Sequence, residues 1–240
     1  GLTMATGVYR RGEVLVVSGY SKNGKSIYID QMLDRAAADG AKVSLYINEM
    51  ADVARVDRYL ARATGIPFKS IRESHRNPDV LKDRMGEVLD ALEKLPYMIY
   101  NISGWTAQEV ARHIRFTQPD VVAVDHIHNF DFENERDLAR ISAVFNDVSK
   151  QANCALILGA HLNENRVMAA TKPRPTVGDI RGSGMIKNMA DVVLFVNREQ
   201  DHQGNSLDKA EIYIGFGRDV QYASVDVWQK SNMAFSETEW

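Results

Sequence analysis

Short apolar runs alternate along the chain with longer segments in which apolar residues recur every three or four positions. The runs are typical of buried strands, and the longer spacing is typical of amphipathic helices. Strands are predicted at 13–18, 42–48, 97–102, 121–125, 155–160, 191–196, 209–216 and 223–229, and helices at 29–37, 52–65, 80–92, 107–116 and 138–148. This alternation predicts an α/β fold with a mostly parallel central sheet flanked by helices.

The second half of the chain departs from simple alternation in two places. The last two predicted strands are separated only by residues 217–222, so we expect an antiparallel hairpin at the sheet edge. Residues 163–185 are long, polar and marked by Pro173 and Pro175, which is typical of a functional loop. Residues 1–11 are expected to be a lead-in segment, and 240 residues fit one domain over 1–240.

Composition narrows the range of functions. The net charge of -3 gives no overall attraction to nucleic acid, so any DNA contact would depend on local basic loops. No apolar run is long enough to span a bilayer and no signal pattern is present, so we expect a cytoplasmic protein without a membrane partner. The single cysteine, Cys154, lies in an apolar run and is expected in the core.

A stretch rich in glycine and polar residues lies directly between the first predicted strand and the first helix. This stretch, the phosphate loop, consists of Gly19, Tyr20, Ser21, Lys22, Asn23, Gly24, Lys25 and Ser26. It matches G-x-x-x-x-G-K-[ST] in the strand, loop and helix context that the motif requires. Its N–H groups would surround an anion at a helix N-terminus. Lys25 would reach the outer phosphates and Ser26 would hold Mg²⁺, so we expect ATP and Mg²⁺ as cofactors.

Three further side chains follow predicted strands, where ligands of open parallel sheets bind. Asp125 ends the run VVAVD, as a Walker B carboxylate does, and would hold Mg²⁺ directly or through water. Glu49 ends LYINE and is the candidate general base for the attacking water. His161 follows ALILGA and could sense the terminal phosphate; a histidine that only ends a strand is the alternative.

The order of motifs along nearly the whole chain resembles one family of motor proteins. The blocks are TGVYRRGEVLVVSGYSKNGKS, YINEM, ISGWTAQEVARHIR, PDVVAVDHIHNF, GAHLNENR, DIRGSGMIKNMADVVLFVNRE and EIYIGFGRDV. They look like the RecA-like motor domain of hexameric replicative DNA helicases, the group of DnaB, the mitochondrial helicase Twinkle and bacteriophage primase-helicases. The phosphate loop is common to many ATPases, whereas DIRGSG followed by ADVVLFVNRE is specific to a much smaller group of proteins. The resemblance implies a RecA-like P-loop NTPase fold.

The same resemblance implies catalytic roles for Lys25, Glu49 and Asp125 and places His161 at the phosphate-sensing position of the phage enzymes. It also implies that Arg218 is an arginine finger that reaches the nucleotide of a neighbouring subunit, so the chain would act as a hexameric ring. Phe216 stands where the family has a lysine two residues before the finger. A primase or another replisome protein would be a partner.

Single-stranded or forked DNA is the substrate that the resemblance implies. Basic residues that could line a central channel are Arg166, Lys172, Arg174, Arg181 and Lys187, and a solvated basic loop is the alternative. The segment after Asp125 reads HNFDFENERD and is acidic. A second hypothesis keeps the ATPase but assigns it a recombination or structure-specific nuclease role, with a divalent metal at Asp125, His126 and His128.

Overall fold

The computed structural model describes residues 10–48, 52–130, 134–163, 174–201, 206–218 and 220–238, with only the backbone of Asp52 and Gln200. Its strands are β1 (Val14–Gly19), β2 (Val43–Ile47), β3 (Tyr97–Asn101), β4 (Val121–Asp125), β5 (Ala155–His161), β6 (Val192–Gln200), β7 (Ser206–Gly217), β8 (Ser224–Gln229) and β9 (Phe235–Ser236). Its α-helices are α1 (Lys25–Ala38), α2 (Asp52–Thr64), α3 (Phe68–Ser74), α4 (Met85–Glu93), α5 (Ala107–Thr117), α6 (Glu135–Gln151) and α7 (Ser183–Met189).

All of the described strands belong to one sheet, in the order β3-β2-β4-β5-β1-β6-β7-β8-β9. The first six strands in this order pair in parallel. The pairs from β6 to β9 are antiparallel. The mostly parallel sheet and the antiparallel edge are therefore as predicted, but the edge also includes β9, which is too short for a hydrophobic pattern to reveal.

Helices cover both faces of the sheet because its central strands are apolar on both sides. In β1, Val14 and Val16 belong to an apolar cluster that includes residues of α5, α6 and α7, whereas Leu15 and Val17 belong to a second cluster that includes residues of α1. Helices α2, α3 and α4 share a smaller apolar cluster beside α1. The two main clusters hold the sheet between two helical layers, so the carboxyl ends of the parallel strands form one edge.

Several helix predictions needed correction. The segment predicted as one helix over 80–92 is a 3₁₀ helix, Pro78–Arg84, followed by α4. Pro78 begins that tight helix, and Leu81 is buried there while Val80 is 37% exposed, so the predicted apolar face does not continue through both parts. Helix α3 follows Pro67 and was not predicted, because its seven residues are too few for a clear period.

The described part of the segment predicted as a loop over 163–185 contains regular structure. Leu162 bridges to Ile180, a 3₁₀ turn spans Val177–Asp179, and α7 begins at Ser183. Gly182 starts α7 with a φ of 71°, and a side chain there would also collide with Leu138. Only glycine meets both requirements, which explains its place in DIRGSG.

Two local predictions are confirmed. Thr106 and Glu109 form the capping box that starts α5, with Glu109 N–H donating to Thr106 Oγ1 at 3.2 Å. Cys154 is fully buried, and burial raises the pKa of its thiol to about 11. Among the described helices, none has the length and apolar content needed to cross a membrane.

Candidate nucleotide site

The carboxyl ends of four parallel strands bring the predicted site together. Gly19 at the end of β1 lies in register with His161 at the end of β5. Ile47 at the end of β2 lies in register with Asp125 at the end of β4. Glu49 comes two positions after Ile47 in the sequence and lies outside the described residues. The phosphate loop, Asp125 and His161 therefore share one edge, as the parallel arrangement predicted.

The phosphate loop turns sharply between β1 and α1. Gly24 has a φ of 92° and is the N-cap of α1, which directs the helix N-terminus toward the loop. Lys25 is buried, and its ammonium donates to the carbonyl oxygens of Gly19 at 2.9 Å and Tyr20 at 3.1 Å. The lysine thus lies across the loop with its positive charge toward the loop interior.

The loop also contains a buried amide without a described partner. The Asn23 side chain is 1% exposed, and neither its oxygen nor its nitrogen has a hydrogen-bond partner among the described residues. Leaving buried polar atoms unsatisfied costs about 1–3 kcal/mol, so such atoms fit a position that a ligand satisfies. The donors of this loop therefore suit a polyanionic ligand.

Asp125 and Ser26 meet where the motifs predicted a metal. The Ser26 hydroxyl donates to Asp125 Oδ2 at 2.6 Å, and the guanidinium of Arg55 donates to the same oxygen. Burial opposes ionisation of Asp125, but the charge of Arg55 and the Ser26 hydrogen bond outweigh it and keep the pKa of Asp125 below its ordinary value. Hydroxyl and carboxylate oxygens are hard ligands of the kind that Mg²⁺ takes, so these two residues fit the metal that accompanies a bound nucleotide.

Arg55 belongs to a buried charge network that the sequence reading missed. It also pairs with Asp30 of α1, and Arg62, about two turns further along the same face of α2, pairs with Asp34 at 2.5 Å. Burial raises the pKa of Asp30 in spite of the nearby cations. The signal in the sequence was the seven-residue spacing of Arg55 and Arg62, which places two charges on the face of α2 that also buries Tyr59.

Three histidines lie together at the same edge. The His126 and His161 rings have centroids 3.8 Å apart. His128 Nδ1 accepts from the His161 backbone N–H at 3.0 Å, so its Nε2–H donates to the Arg181 carbonyl at 2.8 Å. Burial is the main cause that lowers the pKa of His126 to about 3 and of His128 to about 4, which keeps both rings neutral at pH 7.

These contacts involve the histidines at which the nuclease hypothesis places a divalent metal. His126 Nδ1 accepts from the His128 backbone N–H at 3.2 Å, and both ring nitrogens of His128 are already bonded. Among the residues that the structure describes, no group of three or more His, Cys, Asp or Glu side chains could hold a metal ion.

Arg218 lies at the opposite edge of the sheet from the phosphate loop. Its backbone N–H donates to Asp191 at 3.1 Å and its guanidinium to the Asn188 carbonyl at 2.9 Å, while Asp191 bonds the start of β1 at Val14. The six residues of β1 separate its two ends by roughly 16 Å. Arg218 therefore cannot reach the phosphate loop of its own chain.

Three of the five predicted DNA-contacting residues lie within the described part of the chain. Arg166 and Lys172 lie outside the described residues. Arg174 binds both carboxylate oxygens of Glu211, at 2.9 and 2.7 Å. The Arg181 side chain is exposed beside His161, and Lys187 is exposed on α7 near the Phe216 ring. Arg181 lies at the edge that carries the phosphate loop, and Glu211, the partner of Arg174, pairs with Asn197, one position beyond the Val196 that lies against Gly19.

Comparison with known proteins identifies the architecture. Residues 2–237 match the family described as DnaB-like helicase C terminal domain. The chain is 24% identical over 223 residues to the replicative DNA helicase DnaB of Mycoplasma pneumoniae, covering 85% of this chain and 46% of that protein. It is also 24% identical over 220 residues to a probable plasmid replicative DNA helicase of Chlamydia trachomatis, covering 88% and 47%. The chain thus spans about half the length of the curated relatives it matches.

Solved structures agree with this similarity. The ATPase domain of G40P superposes with a TM-score of 0.88 at 19% identity, over 99% of this chain and 89% of that one. A second structure is that of a DnaB-like replicative helicase, described together with its interactions with primase. It superposes with a TM-score of 0.87 at 19% identity, over 98% of this chain and 59% of that one. These neighbours confirm the RecA-like fold predicted from the sequence. Because the family match covers residues 2–237, nearly the whole of this chain, the chain belongs to the DnaB-like helicase C-terminal domain family.

Proposed function

We propose that this chain is an ATP-hydrolysing helicase motor that acts on single-stranded or forked DNA during replication. The observation that carries the proposal is the contact of Ser26 with Asp125 at 2.6 Å, beside the buried ammonium of Lys25. It is supported by membership of a family whose curated relatives are replicative DNA helicases. The unsatisfied amide of Asn23 adds a buried polar group that a triphosphate could satisfy.

The roles of the site residues follow from their positions. Lys25 would release the carbonyls of Gly19 and Tyr20 and turn to the outer phosphates of ATP. Ser26 and Asp125 would hold Mg²⁺, which when bound offsets negative charge on the phosphate oxygens. Glu49, by its place after β2, is proposed as the general base that orients the attacking water. Asp125 is ionised at neutral pH, as a metal-supporting carboxylate must be.

His161 is proposed as the group that responds to the terminal phosphate. Its ring lies against His126, and its backbone N–H is held by His128, which also bonds Arg181. A movement of His161 would therefore displace His128 and, through it, the backbone of Arg181 just before α7. This connection supports a coupling between the nucleotide and the basic residues proposed to contact DNA, which are Arg166, Lys172, Arg174, Arg181 and Lys187.

Arg218 is proposed to complete the site of a neighbouring subunit. Its distance from its own phosphate loop leaves a neighbouring chain as the place where it could meet a nucleotide. An arginine supplied in this way stabilises charge in the transition state and is worth about 10³ to 10⁵ in rate in related nucleotide hydrolases. A hexameric ring and a primase or other replisome partner are part of this proposal.

Strand separation tests the proposal directly. The purified chain should separate a forked DNA substrate with ATP and Mg²⁺, and the Lys25→Ala variant should not. Cleavage of the DNA with a divalent metal but without ATP would instead support the nuclease hypothesis. ATP turnover that single-stranded DNA does not change would remove the motor function while leaving an ATPase.

A further inference from the structure

Arg55 connects three elements behind the phosphate loop. It lies in the first turn of α2, six positions after Glu49 in the sequence, and its side chain is 2% exposed. Its guanidinium donates to the Ser26 carbonyl at 3.1 Å, to Asp30 of α1 and to Asp125 of β4. One side chain therefore links the backbone of one proposed Mg²⁺ ligand to the carboxylate of the other.

The position of the Asp125 carboxylate is fixed from both sides. Its Oδ2 accepts from Ser26 and Arg55. Its Oδ1 lies over Gly159 of β5, where even a Cβ atom would come within 2.5 Å. Asp125 is 3% exposed and so has little water to replace a lost donor. The geometry of the metal-supporting carboxylate thus depends on a cation that comes from α2.

The charges around Asp125 also indicate that Arg55 fixes the position of its carboxylate. Asp30 and Asp125 are both buried, and both accept from the guanidinium of Arg55. Arg58 also places positive charge near both carboxylates, but Arg55 is the cation that donates hydrogen bonds to both. Its loss would therefore increase their repulsion and remove one of the two donors that hold Asp125 Oδ2. A neutral residue of the same length could fill the space but could not hold the two oxygens in place.

We propose that Arg55 is a positioning residue that holds Asp125 beside Ser26 and so makes nucleotide binding depend on Mg²⁺. This inference rests on the proposed function, because it concerns the metal that accompanies ATP. The hydrogen bonds of Arg55 go to the Ser26 carbonyl, Asp30 and Asp125, and none of them is to Gly19–Lys25, the part of the loop that would surround the phosphates. Its removal should therefore affect the metal-dependent part of binding and spare the metal-free part.

Arg62 provides a matched control within the same network. It lies on the same helix, is almost as buried at 6% side-chain exposure, and pairs with Asp30 and Asp34. Its ion pairs do not include Asp125. Loss of Arg62 therefore removes a buried cation, with a similar effect on folding, and leaves the contacts of Asp125 intact.

The experiment compares ATP affinity in Mg²⁺ and in EDTA for the full chain, using a hydrolysis-resistant ATP analogue. We define the magnesium gain as the ratio of the two affinities. Arg55→Met should lower the magnesium gain about tenfold, equivalent to about 1.4 kcal/mol, with affinity in EDTA unchanged. Arg62→Met should keep the wild-type gain, and Arg55→Lys, which retains the charge but not three simultaneous contacts, should fall between them.

A second measurement avoids the variants altogether. In wild-type protein with labelled arginine, Mg²⁺ added to the nucleotide complex should shift the guanidinium NMR signals of Arg55 more than those of Arg62. An unchanged magnesium gain in Arg55→Met, an equal loss in Arg62→Met, or unmoved Arg55 signals would overturn the proposal. A wild-type chain without any magnesium gain would point instead to failure of the proposed function.

Discussion

Replacing Gly159 with alanine should disturb the proposed metal site without touching any residue of the phosphate loop. Gly159 lies on β5 directly behind Asp125, and a Cβ there would come within 2.5 Å of Asp125 Oδ1 and 3.1 Å of His126 Cβ. Neither neighbour gives way easily, because Asp125 is held by Ser26 and Arg55 and His126 is packed on His161. Overpacking of this kind costs about 1–3 kcal/mol.

The assay for Gly159→Ala is urea denaturation, with the magnesium gain measured on the same sample. We expect a free energy of unfolding lower by about 1–3 kcal/mol and a reduced magnesium gain, because the carboxylate is pushed out of position. Gly86→Ala is the matched control: a Cβ there has no atom within 4 Å, so in α4 it should be neutral or stabilise by up to about 1 kcal/mol. Wild-type stability and magnesium gain in Gly159→Ala would refute the described position of Asp125.

The remaining predictions address the subunit contact and the histidines. Arg218→Ala should abolish DNA-stimulated ATP turnover with little change in nucleotide affinity, because Arg218 lies at the far end of β1 from its own site; full turnover in this variant would exclude the finger. Acidification from pH 7 to 4.5 should cost about 2 kcal/mol through His128 alone, because its folded pKa of about 4 is below the ordinary 6.5 and only the unfolded chain takes up a proton in this range. His128→Gln should lose correspondingly less stability over that range in denaturation experiments, and an identical pH dependence would contradict a neutral, buried His128.

Much of this architecture could be predicted because its signals are local. The apolar runs predicted the central strands, and the rule that parallel strands share a carboxyl edge predicted that Lys25, Asp125 and His161 lie together. The phosphate loop was recognisable because its glycines and lysine must occur at fixed positions next to a strand and a helix.

What could not be predicted depends on contacts between distant parts of the chain. Arg55 meets Asp125 across 70 positions, and nothing near either residue in the sequence indicates the pair. The short elements α3 and β9 have too few residues for a period to be recognised, and they lie against α2 and β8. The regular structure within 174–189 is joined to β5 by the bridge from Leu162 to Ile180. The polar composition of that segment does not indicate this bridge.

The central claim is that Gly19–Ser26 binds a nucleoside triphosphate with Mg²⁺, and calorimetric titration of the purified chain with ATP tests it most directly. The account predicts saturable binding at one site per chain, strengthened by Mg²⁺ and lost in Lys25→Ala, whose ammonium lies across the loop carbonyls. Absence of ATP binding by the folded wild-type chain, or equal binding by Lys25→Ala, would contradict it.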